Sequence, residues 1–452
     1  MTLNEFLSIE KSLKLDEILI DNDIPLWRTC RRIVRIKYLN ITTKTAKPHL
    51  NLFDLIRNIT KSLYQLSCQV IVHEHRDYIF YSHARLYNIN GKYMDKLTDP
   101  IIDIDNRISN SFVILQYPQN GVQNSPRLHS SNTIYLDFLV FYSKLWCKCN
   151  KKRVYRKYKR EVDELLARLS IYIKDVKAYK QLVLSGLSNY LISYKINSRI
   201  ISSFSPKQVL VLPRSAHSGA VVYCRRNNII VSELEHGITL QENELYSGVY
   251  NSVFDVDYFL TFGEASNNAS FGMPLNKIIN IGFAYMEWLK SKVSSDVIYE
   301  NNHILVLSEP HITDRIVKVV EELAIRYEDY YFHIRCHPQE RLLKNHIEII
   351  KKHNNIYIND NKQESFQTFM SYQTIIGENS TAIFEAISLG KKVGRINFGG
   401  LKSIIVNPKI YNGEFINSID DFKGFLLSVA TPVDTLRTAY SKYNPDIIPN
   451  LS

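Results

Sequence analysis

The chain has 452 residues, of which 45% are hydrophobic and 22% charged, and it carries 29 Tyr and 20 Phe. So much aromatic material excludes a largely disordered chain, and the length allows two or three domains with cores of their own. Lys and Arg number 56 against 45 Asp and Glu, a formal charge of +11 that favours anionic partners.

No apolar run approaches the roughly 20 residues that a membrane span needs. TIYLDFLVFYSKLW, at 133–146, is shorter and contains Asp137. The opening MTLNEFLSIEKSLKLDEILI mixes acidic residues into its apolar pattern and lacks a basic start and a cleavage site, so a cytoplasmic location is expected. Cys30, Cys68, Cys147, Cys149, Cys224 and Cys336 form no CxxC pair, which favours free thiols over a zinc site.

In chain order, residues 1–65 read as helices, with NLFDLIRNITKSLYQL the clearest amphipathic segment. CQVIVHEHRDYIFY (68–81) reads as a strand, a turn follows near Gly91, and SFVILQYP (111–118) reads as a buried strand. A surface loop is expected over 119–131, then helices from 133 to about 203. Two basic segments stand out. WRTCRRIVRIK (27–37) holds Arg28, Arg31, Arg32, Arg35 and Lys37, and KCNKKRVYRKYKR (148–160) holds eight Lys and Arg. With Trp27, Trp146, Tyr155 and Tyr158 beside them, they suit an anionic membrane surface or a polyanionic acceptor, or else form solvated helix faces. No helix-turn-helix, zinc-finger or RNP-like pattern occurs, so nucleic acid is not an expected partner.

Strand and helix then alternate. KQVLVLP (207–213), NIIVSELEHG, DYFLTFGE (257–264) and KIINIGF (277–283) read as strands. Residues 284–301 read as a polar linker. HILVLSEP (303–310), YYFHIRCHP (330–338), IYIND, TIIGENST and KKVGRINF resume the pattern, each of the first four leading into a helix. A last helix is expected within 432–452, returning to the first domain. This α/β alternation predicts two doubly wound, Rossmann-like parallel sheets, in which ligands bind beyond the carboxyl ends of the strands.

Three turns at such ends carry unusual chemistry. ELEHG holds Glu233, Glu235, His236 and Gly237, a carboxylate and an imidazole either of which could deprotonate a hydroxyl. RCHPQE holds His337, Pro338 and Glu340; the imidazole can meet a phosphate or assist a leaving group. GENST places Ser380 and Thr381 where a helix starts, so that they either cap it or help it hold an anion. His311, in SEPHITD, also precedes a helix.

SELEHGITLQENELYSGVYNS, with DYFLTFGE and KIINIGF after it, resembles bacterial glycosyltransferases of the GT-B fold that build capsules and lipopolysaccharide. RCHPQE and ENSTAIFEAISLGKKV are similar to the HP and Ser-Thr motifs of bacterial sialyltransferases and related CMP-sugar enzymes. The resemblance covers about 207–398 and extends to the first 200 residues only through IPLWRTCRRIV. It implies two Rossmann-like domains facing across a cleft, with a helical N-terminal region. Residues 1–283 would form the acceptor side, 284–301 the linker and 302–431 the nucleotide-sugar domain. His337 would contact the donor phosphate, Pro338 would fix its turn, and Ser380 and Thr381 would hold the same phosphate with Glu378 and Asn379 beside it. The acidic-acidic-Gly motif that supplies the base in sialyltransferases corresponds to Glu235-His236-Gly237, where His stands for the second acid, so either Glu235 or His236 could serve.

Two DxD strings, Asp103-Ile104-Asp105 and Asp255-Val256-Asp257, could in principle hold a divalent ion on a diphosphate. Neither lies at the paired turns, and a metal-independent, cofactor-free reaction is expected. The combined expectation is a glycosyltransferase peripheral on the inner membrane. It would move a sugar from a nucleotide donor, first a CMP-linked sialic acid or Kdo, to a surface polysaccharide or lipid-linked glycan. The alternatives are a polymerase that transfers glycerol- or ribitol-phosphate from a CDP donor, and a non-catalytic assembly factor.

Overall fold

The structure, a computed structural model, describes residues 3–38, 51–82, 86–89, 91–118, 122–239, 246–264, 266, 271–292, 298–309, 312–337, 340, 342–359, 365–378, 382–398, 414–429 and 439–451. Two parallel sheets organise it. The first contains β1 (Tyr78–Ser82), β2 (Phe112–Gln116), β3 (Thr133–Tyr135), β4 (Gln208–Val211), β5 (Ile230–Leu234), β6 (Tyr258–Thr261) and β7 (Ile278–Asn280), in the order β7-β6-β5-β4-β1-β2-β3. The second contains β8 (His303–Leu307), β9 (Tyr331–Arg335), β10 (Ile356–Asn359), β11 (Thr374–Gly377), β12 (Lys392–Ile396) and β13 (Glu414–Ile416), in the order β10-β9-β8-β11-β12-β13.

In both sheets the first strand lies beside the fourth. Tyr78 pairs with Gln208, and Ile304 pairs with Thr374. That reversal of strand order is the topological switch of a doubly wound sheet, so the fold is α/β with two Rossmann-like lobes in the GT-B arrangement. Unbroken apolar runs such as YIFY and FVIL make strands because helices cover both faces of each sheet; every residue of β1 and β2 is buried.

The first lobe adds a helical layer. Helices Leu26–Tyr38 and Asp137–Lys157 pack on the long helix Val176–Phe204. Gly186 makes the first contact possible, since a Cβ there would stand 2.6 Å from the Thr29 carbonyl oxygen. The strand expected at 68–81 begins only at Tyr78, because helix Leu52–Val72 runs through its first residues. Helical register puts Ser62, Leu66 and Gln69 on one buried face, and that packing overrides the β-branched content of 70–72.

The carboxyl edges of the two sheets meet. Phe262 and Phe283 follow β6 and β7, and their rings lie 4.6 Å apart. Phe366, in the helix that follows β10, stands 5.1 Å from Tyr285, and Tyr440 lies 4.7 Å from Phe283. The sequence reading of 284–301 as polar is corrected here. Ala284–Lys292 is a helix with Tyr285, Trp288 and Leu289 buried, so its aromatic residues join this junction. Ser441 donates to the Phe262 carbonyl and accepts from the Phe283 N–H, which sews the C-terminal segment onto the first lobe. Gly282 permits it, having φ +79° and no room for a Cβ beside the Lys442 carbonyl at 2.1 Å.

Arg127, fully buried, ties the carboxyl ends of β1 and β2 together. It donates to both oxygens of Asp99 at 2.8 and 3.0 Å, to Ser82 at the end of β1 at 3.2 Å, and to the side-chain oxygen of Gln116 at the end of β2. Burial pushes the Asp99 carboxyl up to about 6 despite this partner. Removing the guanidinium would leave a carboxylate buried without compensation. Arg127→Ala is therefore expected to cost about 3–5 kcal/mol in urea unfolding; a loss below about 1 kcal/mol would mean that the pair is solvated.

Candidate functional site

ELEHG runs from the last two residues of β5, Glu233 and Leu234, into the turn that follows. Glu233 and Glu235 are both fully buried. Glu235 accepts from the N–H groups of Thr239 at 2.8 Å and Phe262 at 2.9 Å, and from the Ser266 hydroxyl at 2.6 Å. Both of its oxygens are occupied in clamping the 236–239 turn to the end of β6. Burial raises its carboxyl to about 7, against the pull of those donors. His236 is half-buried, Gly237 is exposed, and the His236 Nδ1 meets the hydroxyl of the buried Tyr246. Burial holds the Tyr246 phenol well above its ordinary range, so this partner stays neutral.

A buried network fixes Tyr246 in turn. Arg214 donates to the carbonyls of Tyr246 at 3.0 Å and Phe271 at 2.8 Å. Its guanidinium stands 3.5 Å from Glu233 and 3.4 Å from Asp255, and its backbone N–H donates to Glu233 at 2.9 Å. Arg28 reaches Asp255 at 2.6 Å and the Val249 carbonyl at 2.8 Å. Burial lifts the Glu233 carboxyl to about 7. Arg214 was not singled out by sequence; a lone Arg after a strand gives no periodic signal.

On the second lobe, the turn after β9 carries His337, half-buried, whose backbone N–H donates to Glu340 Oε2 at 2.8 Å. Glu340 Oε1 accepts from the hydroxyls of Ser308 and Thr313, each at 2.6 Å. One carboxylate therefore locks the turns after β8 and β9 together. Glu378, directly after β11, is buried and receives Arg315, whose Nε donates to Oε2 at 2.9 Å and whose Nη2 donates to Oε1. Arg395 donates to the Glu378 carbonyl at 2.7 Å. Burial raises the Glu378 carboxyl, opposed by Arg315 and Arg395. Sequence reading missed Arg315, yet a signal existed. A cation in the first turn of helix Thr313–Arg326 opposes the macrodipole and calls for a nearby anion. Pro338, Asn379, Ser380, Thr381 and His311 lie outside the described residues.

The carboxylates of both DxD strings have protein partners. Asp103 accepts from Trp288 at 2.5 Å, Asp105 caps Arg107 at 2.9 Å, Asp255 pairs with Arg28, and Asp257 pairs with Arg225. Among the described residues no three His, Cys, Asp or Glu are grouped to hold a metal.

No protein-family model matches the sequence, and no curated protein matches it. Solved structures with related outlines are enzymes. A UDP-GlcNAc 2-epimerase from Neisseria meningitidis bound to UDP-GlcNAc is 15% identical, over 77% of this chain and 90% of its own, with a TM-score of 0.45. The UDP-GlcNAc 2-epimerase from Methanocaldococcus jannaschii is 11% identical, over 78% and 93%, with a TM-score of 0.47. The wall teichoic acid polymerase TagF, soaked with CDPG, is 10% identical, over 84% and 89%, with a TM-score of 0.41. These likenesses concern the two-lobed outline and carry nothing about the reaction.

The Glu235 geometry has a consequence for pH. Its carboxyl holds its proton to about 7 when folded and releases it near the ordinary value of 4.5 when unfolded, so the native state binds more protons between these values. Stability from this group is present below about 4.5 and is lost as pH rises through about 7. Relative to Glu235→Gln, the wild type is expected to lose stability steadily across that window in chemical unfolding. A flat difference would show that the buried carboxyl ionises as freely as in the unfolded chain.

Proposed function

We propose that the chain is a transferase that takes an activated group from a nucleotide donor on the second lobe and delivers it to a hydroxyl held on the first. One observation carries this reading. His236 and His337 each sit two residues beyond a parallel strand, in lobes whose carboxyl edges meet, and a carboxylate anchors each turn, Glu235 in one and Glu340 in the other. Glu235 is spent on backbone donors, so the base in this proposal is His236, with Gly237 leaving room for substrate. Its Nδ1–H donates to the Tyr246 oxygen in this proposal, which leaves Nε2 unprotonated to take the acceptor proton. His337 meets the departing phosphate, joined by the hydroxyls of Ser380 and Thr381, while the Glu378–Arg315 pair sets the edge of that cradle. Asn379, Pro338 and His311 complete it on sequence grounds alone.

The first donor is a CMP-linked acidic sugar, sialic acid or Kdo, and the reaction draws on no metal. A second reading, transfer of glycerol- or ribitol-phosphate from a CDP donor, is favoured by the pair of histidines, one per lobe. His236→Ala and His337→Ala are each expected to lower turnover by about 10²-fold or more without lowering the melting temperature. Donor labelled with ³²P separates the two chemistries, since phosphorus enters product only in the second. If CMP, CDP, UDP and GDP all fail to shift the melting temperature, the chain is a non-catalytic assembly factor.

The same reading seats the protein on an anionic bilayer. Helix Leu52–Val72 attaches to the edge strand β3 through polar groups, Ser62 to the Tyr135 carbonyl at 2.5 Å and Gln65 to the Thr133 carbonyl at 3.2 Å. Its apolar side faces out instead, with Leu52 69%, Phe53 70%, Ile56 56% and Tyr64 71% exposed. Arg57 and Lys61 flank them, and no described helix is long and apolar enough to cross a membrane. Each large apolar side chain removed from water is worth about 1.5–3 kcal/mol. Phe53→Ser/Ile56→Ser is expected to abolish co-sedimentation with phosphatidylglycerol vesicles at unchanged melting temperature; undiminished sedimentation would remove this face from the account.

A further inference from the structure

A cavity of about 750 Å³ opens in the first lobe among helices Leu26–Tyr38, Asp137–Lys157 and Val176–Phe204, beside the loop that follows β4. Among its described lining residues Arg28, Arg31, Arg32, Arg35, Lys144 and Arg214 are cationic, and Asp255 is the one carboxylate. We propose that this cavity seats a phosphodiester or pyrophosphate group of the acceptor. The term acceptor rests on the transferase reading above; the anion site does not.

Charge is the first argument. Arg28 and Arg214 share Asp255 at 2.6 and 3.4 Å, and Arg31 is held by Glu10 at 2.5 Å. Arg32 and Lys144 are exposed and make no ion pair with a described residue, so the wall keeps a positive surplus. A concave, low-dielectric wall of one sign concentrates counter-ions.

Residue type is the second. Five of the six cations are Arg, whose planar forks match phosphate oxygens and stay charged in poorly hydrated settings. Arg28 and Arg214 are fixed by their carboxylate and carbonyl partners, with side chains only 10% and 7% exposed, so they add a preset positive potential while Arg32 and Lys144 supply the direct contacts. Ser215, Ser218 and Asn189 add uncharged donors, and Leu139 and Val140 offer an apolar wall for the carbon skeleton. Cations spread over two helices and a loop suit a group with several charged oxygens better than a single carboxylate.

Continuity with the candidate base is the third. Ser247 lines the cavity, and its carbonyl accepts from Arg31 at 2.8 Å. The preceding residue is Tyr246, which holds His236 by its hydroxyl and Arg214 by its carbonyl. One short segment thus forms both the cavity wall and the support of His236.

The test is calorimetric titration of the whole chain with inorganic pyrophosphate, paired with sedimentation on phosphatidylcholine vesicles carrying phosphatidic acid. Arg32→Glu/Lys144→Glu is expected to weaken pyrophosphate binding at least tenfold, while Lys152→Glu/Arg156→Glu, on the same helix but outside the cavity, leaves it unchanged. Loss of vesicle binding along with pyrophosphate binding identifies a lipid-borne phosphate as the ligand; loss of pyrophosphate alone identifies a glycan-borne one. The proposal is overturned if wild type does not bind pyrophosphate, if the cavity variant binds it equally well, or if the control variant loses as much. Nucleotide-induced thermal shifts are followed on the same samples. Their absence alongside intact cavity binding would remove the transferase reading and leave the anion site standing.

Discussion

The first lobe depends on a guanidinium buried where it can be neutralised from two sides. Arg214 sits between Glu233 and Asp255 and spends its remaining donors on the carbonyls of Tyr246 and Phe271. Asp255 in turn takes Arg28, which brings helix Leu26–Tyr38 over the same loop. A charge taken so far from water is tolerated only when it is paired and its hydrogen-bonding groups are met, and breaking one partner leaves the others exposed to that cost. The positions of Tyr246, of His236 behind it and of the basic cavity wall all follow from this one cluster.

The two lobes are joined as much by the end of the chain as by the segment between the sheets. Phe262, Phe283, Tyr285, Phe366 and Tyr440 form an aromatic seam at the carboxyl edges, and backbone bonds from Ser441 and Asn444 close it over the first lobe. Lys96 adds an inter-lobe contact to Glu385 at 3.4 Å. Edge-to-edge apposition is the layout that lets turns from two sheets address one substrate, and it arises from packing well away from the histidines themselves.

Much of this was legible in the sequence, for physical reasons. Runs such as VLV and ILVL have no polar residue to interrupt a strand buried on both faces, and so the alternation of both sheets could be read directly. The helix through 68–72 could not, because its register is set by Ser62, Leu66 and Gln69 meeting the edge of a sheet that a local window does not contain. Tyr285 and Trp288 likewise sit in a segment whose charged neighbours mask its buried face. At the site, imidazoles after strands were visible as candidates, but the burial of Glu235 was not. A Glu at a strand end reads as solvated until the donors from Thr239, Phe262 and Ser266 are known. Arg127, Arg214 and Arg315 were missed alike, since the partner of each stands 19 or more residues away along the chain.

The central claim is that imidazole 337 faces the donor anion while imidazole 236 faces the acceptor side. The most direct measurement is nitrogen NMR of histidine-labelled protein, with the two rings assigned through His236→Gln and His337→Gln, during titration with CMP and then CDP. The account predicts that the ring nitrogens of His337 shift with saturable dependence on nucleotide while those of His236 move little. A saturable response at His236 with none at His337 would contradict it.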